Sequence, residues 1–482
     1  MPPSTSLTDK PCTEERIPEF YPMSRDVKMS NIRATIPSHL FVRNTATGLS
    51  YVARDVGMAG AAIAIALCMD SLLKSETIVE LLHPAAAWTA RWTFWMVYWW
   101  FQGLILPASG SSDMSKMICD VVGFIMHTAT LAPYYSWKIT HHHHHMYHGL
   151  MERDESWIPM TRSELKIPSE GHIEYSDYLD DTPIYALFRL VRRQLLGIPA
   201  YFLVNVSGRS GLPGWTSHLN PLSVMFTVGQ RKLIIMSDIG IMAMLLLLYW
   251  SCSIWGGVGI AKYYAVPWLL MNHWLAAITY LHHTDPALPH YRRPEWTFPR
   301  GAVATLDRDF LGWMGRFFFH DISHFHVIHH FFPKMPFYHA AEATQYLKRA
   351  LGDHYHHSDK PVLKALWDNY FDCQFVEDTG DIIFYRDVKG RAVIKPAEQY
   401  NPSVLIYAAS TCYVFMSEEL LVIYSRPTCT INAMIIFAPI FQQLQHLRQS
   451  IGVHEALGER GHLTGDLSVP QRLINVTSLA MI

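Results

Sequence analysis

Charged residues are scarce in this chain. Aspartate, glutamate, lysine and arginine make up only 17% of its 482 residues, and half of the residues are hydrophobic. A soluble domain usually carries about a quarter charged residues. The formal net charge of −2 shows no excess of either sign, so neither nucleic acid nor an acidic substrate is implied as a partner. The composition therefore favours a membrane protein.

Paired cysteines are absent as well. The seven cysteines include no Cys-x-x-Cys pair, which argues against a disulfide framework and against a cysteine zinc site. Residues 1–35 are polar and lack a basic start followed by an apolar stretch, so we expect no cleavable signal peptide in them. We expect them to be a mostly disordered cytosolic tail.

Long apolar runs are what the chain does have. Four of them, at about 56–73, 85–107, 234–255 and 256–281, are each near the length that crosses a bilayer. A further stretch, 118–137, contains His127 and Pro133, and we expect it to lie along the membrane interface or to be re-entrant.

This spacing predicts an all-α membrane protein with four transmembrane helices in two hairpins and a cytosolic, histidine-rich helical cap. An even number of spans puts the polar segments after both hairpins on one side, and their Arg and Lys residues make that side cytosolic. The predicted organisation is a cytosolic N-terminal tail (1–50), a membrane domain (51–400) and a C-terminal extension (401–482) to which no role can be assigned.

Histidines are numerous and clustered: there are 27. The pattern His-x-x-His-His occurs twice, at His141, His144 and His145 and again at His326, His329 and His330. Positions i, i+3 and i+4 share one face of a helix, and each triad follows a predicted hairpin on the same side of the membrane. The two triads could therefore face each other and hold two metal ions.

The other histidines of the first cluster, His142, His143 and His148, have no place in this pattern, and we expect them to be solvated or to support the ligands. The five-histidine run is internal, unlike a purification tag. No His-Glu-x-x-His occurs, so the usual zinc hydrolase arrangement is missing. All-histidine clusters at a membrane face fit oxygen activation by non-haem iron better.

Several long segments resemble the fungal and plant acyl-lipid desaturases, most closely the Δ12, oleate-type group. The resemblance covers roughly residues 30–390 and includes ATIPSHLFVRN, APYYSWKITH, MERDESWIP, ITYLHHTDPALPHY, EWTFPRGAVATLDRDF and HVIHHFFPKMPFYHA. It implies a multi-pass enzyme of the endoplasmic reticulum that removes two hydrogens from an acyl-lipid or acyl-CoA chain with O2. It also implies two non-haem irons.

The resemblance further implies electron delivery by cytochrome b5 and NADH-cytochrome b5 reductase. The chain has no His-Pro-Gly-Gly signature, so the donor would be a separate protein. The two triads match the family's second and third histidine boxes, and His283 in LHHTDP matches an additional ligand. Asp154, Asp285 and Asp307 occur in family-like context and could orient metal-bound imidazoles.

One family feature is missing from the sequence. The first box, His-Glu-Cys-Gly-His, should follow YWWFQG, but that region reads QGLILPASGSSDMSKMICD, and His127 is the only histidine between His83 and His141. Three explanations stay open, in decreasing order of preference: a short piece lost from the gene model, an inactive relative, and compensation by His142, His143 and His148. These alternatives leave open a Δ12 desaturase, a desaturase-like tailoring enzyme such as an acetylenase or hydroxylase, and an inactive membrane homologue.

Overall fold

The computed structural model describes residues 17–105, 116–168 and 182–398. The predicted extension 401–482 and residues 1–16 of the predicted tail lie outside these ranges. The α-helices are α1 (Met29–Ala34), α2 (Thr45–Leu72), α3 (Glu76–Leu81), α4 (Pro84–Ile105), α5 (Lys116–Ala129), α6 (Tyr134–Tyr147), α7 (Pro183–Val204), α8 (Arg231–Ile260), α9 (Val266–His283), α10 (Phe298–Val303), α11 (Trp313–Phe318), α12 (His326–Phe331), α13 (Ala340–Leu351) and α14 (Val362–Asp372). A π-helical turn, Ala261–Ala265, joins α8 to α9.

Strands are few and short, as expected for a helical protein. They are β1 (Glu19–Phe20), β2 (His290–Tyr291), β3 (Asp307–Arg308), β4 (His357–Ser358), β5 (Ile382–Ile383) and β6 (Lys395–Pro396). They form three two-stranded pairs: β1 with β6 and β3 with β4 run parallel, and β2 with β5 runs antiparallel. Each pair joins segments that are distant in sequence, so the strands fasten the polar part of the chain together. Short 3₁₀ turns lie at Ser38–Phe41, Val228–Gln230, Phe337–His339 and Gly352–His354.

Within the described ranges, two helical runs are long and apolar enough to cross a membrane: Thr45–Leu72 and the continuous run Val228–His283. A third candidate arises if the bent pair α5 and α6 counts as one span. The helix α4 covers most of the second predicted span and has 22 residues, but its tryptophans, Tyr98 and Arg91 lower its hydropathy. The fold therefore supports a helical protein with two or three candidate membrane spans.

The run Val228–His283 folds back on itself near its middle. Gly256 has φ 73° and ψ 156°, which interrupts the helix. A Cβ placed on Gly240 would lie 2.7 Å from Thr128 Oγ1, and the Trp268 indole donates to the carbonyl of Thr130 at 2.8 Å. In a straight helix Gly240 and Trp268 would be about 42 Å apart, yet both contact the same turn. The chain therefore reverses at the predicted boundary between the third and fourth spans.

The segment containing His127 and Pro133 is sharply bent. Helices α5 and α6 meet at an angle of 111°, and Pro133 precedes the first residue of α6. Proline cannot donate a backbone hydrogen bond to a preceding turn, so a helix boundary falls here. This bend agrees with the predicted re-entrant or interfacial segment.

Helix α9 is held between α4 and α7. The rings of Trp100 and Trp274 lie 4.8 Å apart, edge to face, and a Cβ on Gly103 would come within 2.7 Å of the Leu270 Cβ. On the other side, Ala186 and Leu190 of α7 are buried in the same apolar cluster as the last two turns of α9. This packing fixes the end of α9, where His283 is located.

The predicted disorder of the N-terminal tail is wrong for its described part. Ile32 and Ile36 are buried in an apolar cluster that also contains Val327 and Phe331 of α12. The Arg300 guanidinium donates to the backbone carbonyl of Met23 at 2.6 Å. This segment is structured because its apolar side chains are buried, even though its overall composition is polar.

We predict that Gly256→Ala lowers stability, whereas Gly257→Ala does not. A Cβ at either position meets nothing within 4 Å, but only Gly256 has a positive φ. An L-residue held there costs about 1–3 kcal/mol. The unfolding midpoints of the two purified variants in the same detergent measure the difference, and equal midpoints would show that the chain does not require the reversed backbone at Gly256.

Candidate metal centre

The two predicted triads lie on helices with the expected spacing. His141, His144 and His145 lie in the second half of α6, and His326, His329 and His330 lie on the short helix α12. Within α6 the side chains of His144 and His145 are buried, whereas His142 is exposed. The helical period of 3.6 residues explains this alternation.

The triads meet in space. The ring centroids of His145 lie 4.4 Å from those of both His329 and His330, and those of His144 and His330 are 5.1 Å apart. The separation of nearly 180 residues in sequence is thus closed by the fold. This juxtaposition is the first requirement for a shared metal centre.

The ring nitrogens form two groups. In each group, one ligand atom per residue lies within 4.8 Å of all the others. The four-histidine group consists of His144, His148, His283 and His330, and the three-histidine group consists of His141, His145 and His329. His326 adjoins the first group, because its Nε2 lies 3.2 Å from Nε2 of both His283 and His330.

The chemistry of these groups fits metal ions. Two nitrogens bound side by side to one first-row metal at about 2.1 Å lie roughly 3 Å apart, close to the observed contacts. In both groups the ring nitrogens converge, and Nε2 of His141 and Nε2 of His145 lie 3.1 Å apart. A cation between such nitrogens would accept their lone pairs. Imidazole without thiolate suits iron, copper, nickel and zinc.

Burial favours the neutral form of most of these imidazoles, which is the form that binds metal. Burial, and then the nearby His144 ring, lowers the pKa of His148 to about 3. Burial likewise lowers the pKa of His329 to about 4 and holds the pKa values of His326 and His330 well below the usual range. At neutral pH these rings therefore carry free lone pairs.

Asp154 contacts the cluster directly. Its Oδ1 lies 2.8 Å from Nδ1 of His144, and its oxygens also accept the backbone N–H groups of Gly149, at 2.9 Å, and Glu155, at 2.7 Å. Burial alone would raise the pKa of this carboxyl, but His144 and these hydrogen bonds outweigh burial and lower it. The ionised carboxylate thus holds the His144 ring with its Nε2 facing the group.

The other two predicted carboxylates are placed differently. Asp307 accepts from the backbone N–H of Val327, at 2.7 Å, and from the hydroxyl of Tyr355. Asp285 accepts from the backbone of Ala287 and lies 3.6 Å from Arg308. Asp307 therefore secures the start of α12 through its backbone, whereas Asp285 pairs with a guanidinium.

His148 corrects the interpretation of the surplus histidines. The ring was expected to be solvated or supporting, but it is buried and belongs to the four-histidine group. The spacing could have revealed it, since 141, 144, 145 and 148 follow the i, i+3, i+4, i+7 pattern of one helical face. His142 is exposed and His143 partly exposed, as expected for solvated side chains.

His127 and His282 stay outside both groups. His127 Nδ1 lies 2.8 Å from the carbonyl of Gly123. Both ring nitrogens of His282 lie against backbone carbonyls, at 2.6 Å from Ile278 and 2.8 Å from Ser323. Residues 106–115, where the family's first box is expected, lie outside the described ranges.

An apolar cavity lies close to the three-histidine group. Its volume is about 300 Å³, and its lining includes Ala132, Phe202, Ile241, Met271 and Leu275. Trp137 packs in the apolar cluster that contains Ala132 and Leu275. His127 lines the cavity, and its ring centroid lies 5.1 Å from that of Trp137, which in turn stacks on His141 with centroids 4.6 Å apart. Two aromatic rings therefore lie between the cavity and the metal-binding imidazoles.

Comparison with known proteins agrees with the geometry. The model of the fatty acid desaturase family matches residues 108–361, more than half of the chain. A Δ12 fatty acid desaturase of Mortierella alpina is 37% identical over 399 residues, 78% of this chain and 94% of the relative. A Δ12-oleate desaturase of Trichosanthes kirilowii is 35% identical and covers 77% of this chain and 98% of the relative. An oleate hydroxylase of Claviceps purpurea is also 35% identical, covering 75% and 81%.

We predict that Asp154→Asn weakens metal binding about 10- to 100-fold, the usual effect of losing a carboxylate that orients a ligand. The matched control is Asp309→Asn, because Asp309 is paired with His324 at 3.0 Å, a histidine in neither group. Metal retained per chain during titration with a chelator measures the difference. If the two variants retain metal equally, the carboxylate on His144 does not tune the centre.

Proposed function

The chain belongs to the fatty acid desaturase family, and we propose that it is a membrane enzyme that converts an oleoyl-type chain to a linoleoyl-type chain by forming a Δ12 cis double bond. The observation that carries this proposal is the convergence of two histidine triads from α6 and α12 into one buried cluster. The Δ12 relatives support the position of the bond.

The proposed cofactor is a pair of non-haem irons. The four-histidine group with His326 would hold one iron, and His141, His145 and His329 would hold the other. When bound, the irons supply the reduction of O2 and the abstraction of hydrogen from an unactivated methylene. The protein positions the reacting carbons, orients the ligands and excludes water.

Individual residues carry out these tasks. Asp154 orients His144, and the peptide carbonyl of Ile322, 3.1 Å from His326 Nδ1, orients that ring. The acyl chain would occupy the apolar cavity beside α8 and α9, with Trp137 separating it from His141. Because Ala132, Ile241 and Leu275 offer only apolar surface, the cavity suits methylenes rather than a polar headgroup.

The proposed membrane arrangement has four spans: α2, α4 and the two legs of the run broken at Gly256. The histidine-rich cap would then lie on the cytosolic face of the endoplasmic reticulum. Electrons would come from cytochrome b5 and its NADH-dependent reductase, and the substrate would be an acyl-lipid or acyl-CoA. The reversal at Gly256 and the length of α4 support this topology, and a cytosolic donor requires the cap on that side.

A related oxidation on the same scaffold is the second candidate. The oleate hydroxylase of Claviceps purpurea is about as similar to this chain as the Δ12-oleate desaturase of Trichosanthes kirilowii is. A hydroxylase, or a tailoring enzyme for a specialised acyl chain, would use the same imidazoles and the same cavity. The product formed distinguishes these activities.

Expression in a yeast that makes no linoleate tests the proposal. We expect a linoleoyl product in the fatty-acid profile, and we expect His145→Ala to abolish it, because His145 contacts both His329 and His330. His142→Ala is the matched control, since this neighbour in the same run is exposed and should retain activity. Hydroxy-oleate in place of the diene would favour the second candidate.

The iron content distinguishes an assay that fails to detect the activity from a protein that lacks the activity. About two irons per purified chain are expected for the enzyme. A well-folded chain without iron, and without a product, would overturn the desaturase proposal and favour a homologue that has lost its centre.

We also predict that Ile241→Trp reduces product formation by narrowing the apolar cavity, while Met242→Trp has little effect. Ile241 lines the cavity, whereas its neighbour is 57% exposed. Overfilling a cavity forces neighbouring groups to shift, so we expect at least several-fold less diene with Ile241→Trp at equal protein level. Equal yields from the two variants would place the acyl chain elsewhere.

A further inference from the structure

His148 is positioned like a ligand, although it lies outside both His-x-x-His-His patterns. It directly follows the last residue of α6 and lies four residues after His144. Its ring centroid is 4.4 Å from that of His330, 4.7 Å from that of His283 and 4.9 Å from that of His144. It therefore completes the four-histidine group with rings from three different elements.

The orientation of the ring is fixed by one hydrogen bond. His148 Nδ1 lies 2.7 Å from the carbonyl oxygen of Gly301. A carbonyl only accepts, so the neutral ring carries its proton on Nδ1 and has its lone pair on Nε2. Donation from Nδ1 to a backbone carbonyl is a common arrangement of metal-bound histidine. His282 differs, because both of its ring nitrogens face backbone carbonyls.

The backbone around His148 is held as firmly as its ring. The Trp296 indole donates to the carbonyl of His148 at 3.0 Å. The carbonyl of the next residue, Gly149, accepts a hydrogen bond from the backbone N–H of Tyr291 at 2.8 Å. A Cβ on Gly301 would lie only 2.2 Å from the carbonyl oxygen of His148, so the close approach depends on glycine. Such support keeps a ligand in place before metal binds.

We propose that His148 is an iron ligand of this chain and supplies an imidazole in place of one that the first histidine box supplies elsewhere in the family. The inference rests on the proposed desaturase function. Residues 84–126 contain no histidine, and His127 belongs to neither group. Among the histidines of residues 17–105, 116–168 and 182–398, His148 is the one outside the matched ligand positions that belongs to a group.

Iron content of the purified full-length protein tests this inference. The informative variant is His148→Asn, because the asparagine amide can still donate to the Gly301 carbonyl but offers no nitrogen at the position of Nε2. We expect it to lose about half of the bound iron, from about two to about one per chain, with a matching loss of one iron signal in the Mössbauer spectrum. His143→Ala is the control in the same cluster, and its iron content should not change.

Two further comparisons keep the outcomes distinct. If His148→Asn keeps the full iron content while His148→Ala loses it, the ring acts only through its hydrogen bond and the inference is overturned. If all variants hold iron as the wild-type protein does, His148 is likewise no ligand, but the proposed function stands. If the wild-type protein itself is well folded and holds no iron, the proposed function fails instead.

Discussion

The close packing of neutral imidazoles is the constraint on which the rest of the structure depends. Eight rings from α6, α9, α12 and the residue after α6 are brought within contact of one another, and most of them are shielded from water. Protonated rings could not be held so close, because like charges in a poorly solvated space repel strongly. Neutral rings leave many lone pairs converging on a small volume, a situation that a cation resolves. The fold therefore gathers the donor atoms of a candidate metal site in one small buried volume.

The surrounding elements act mainly by limiting how these rings can turn. Asp154 fixes His144, and peptide carbonyls fix His148 and His326. Asp307 acts one step further away, since it holds the backbone at the start of α12. The close contact of α4 with α9 fixes the position of α9 along its axis, and this determines where His283 lies in the cluster. Geometry of this kind is costly to change, because each ring is fixed by groups from distant parts of the sequence.

Much of this arrangement could be predicted from the sequence, and the predictions that were wrong failed for physical reasons. The spacing of His141, His144 and His145 predicted a shared face because helical period is a local property. The boundary at Gly256 followed from the lengths of two apolar runs. His148 was missed because it lies beyond the repeated pattern, although its spacing of seven residues from His141 places it on the same helical face. The order of residues 17–35 was missed because a few apolar side chains, such as Ile32, outweigh a polar average when a docking surface exists. The identity of His283 as part of the cluster came from resemblance alone.

The pairing of β1 with β6 has a consequence for biosynthesis. Glu19 lies opposite Lys395, and Phe20 opposite Pro396. The strand β1 therefore cannot pair until β6, which is nearly at the end of the described residues, has been synthesised. At about 5–20 residues per second, a ribosome needs roughly 20 to 80 s to reach that point. During this interval α6 and its histidines have already been synthesised, whereas β1 has no partner strand with which to pair. The β1–β6 pair can therefore form only after all eight clustered histidines, the last of which is His330, have been synthesised.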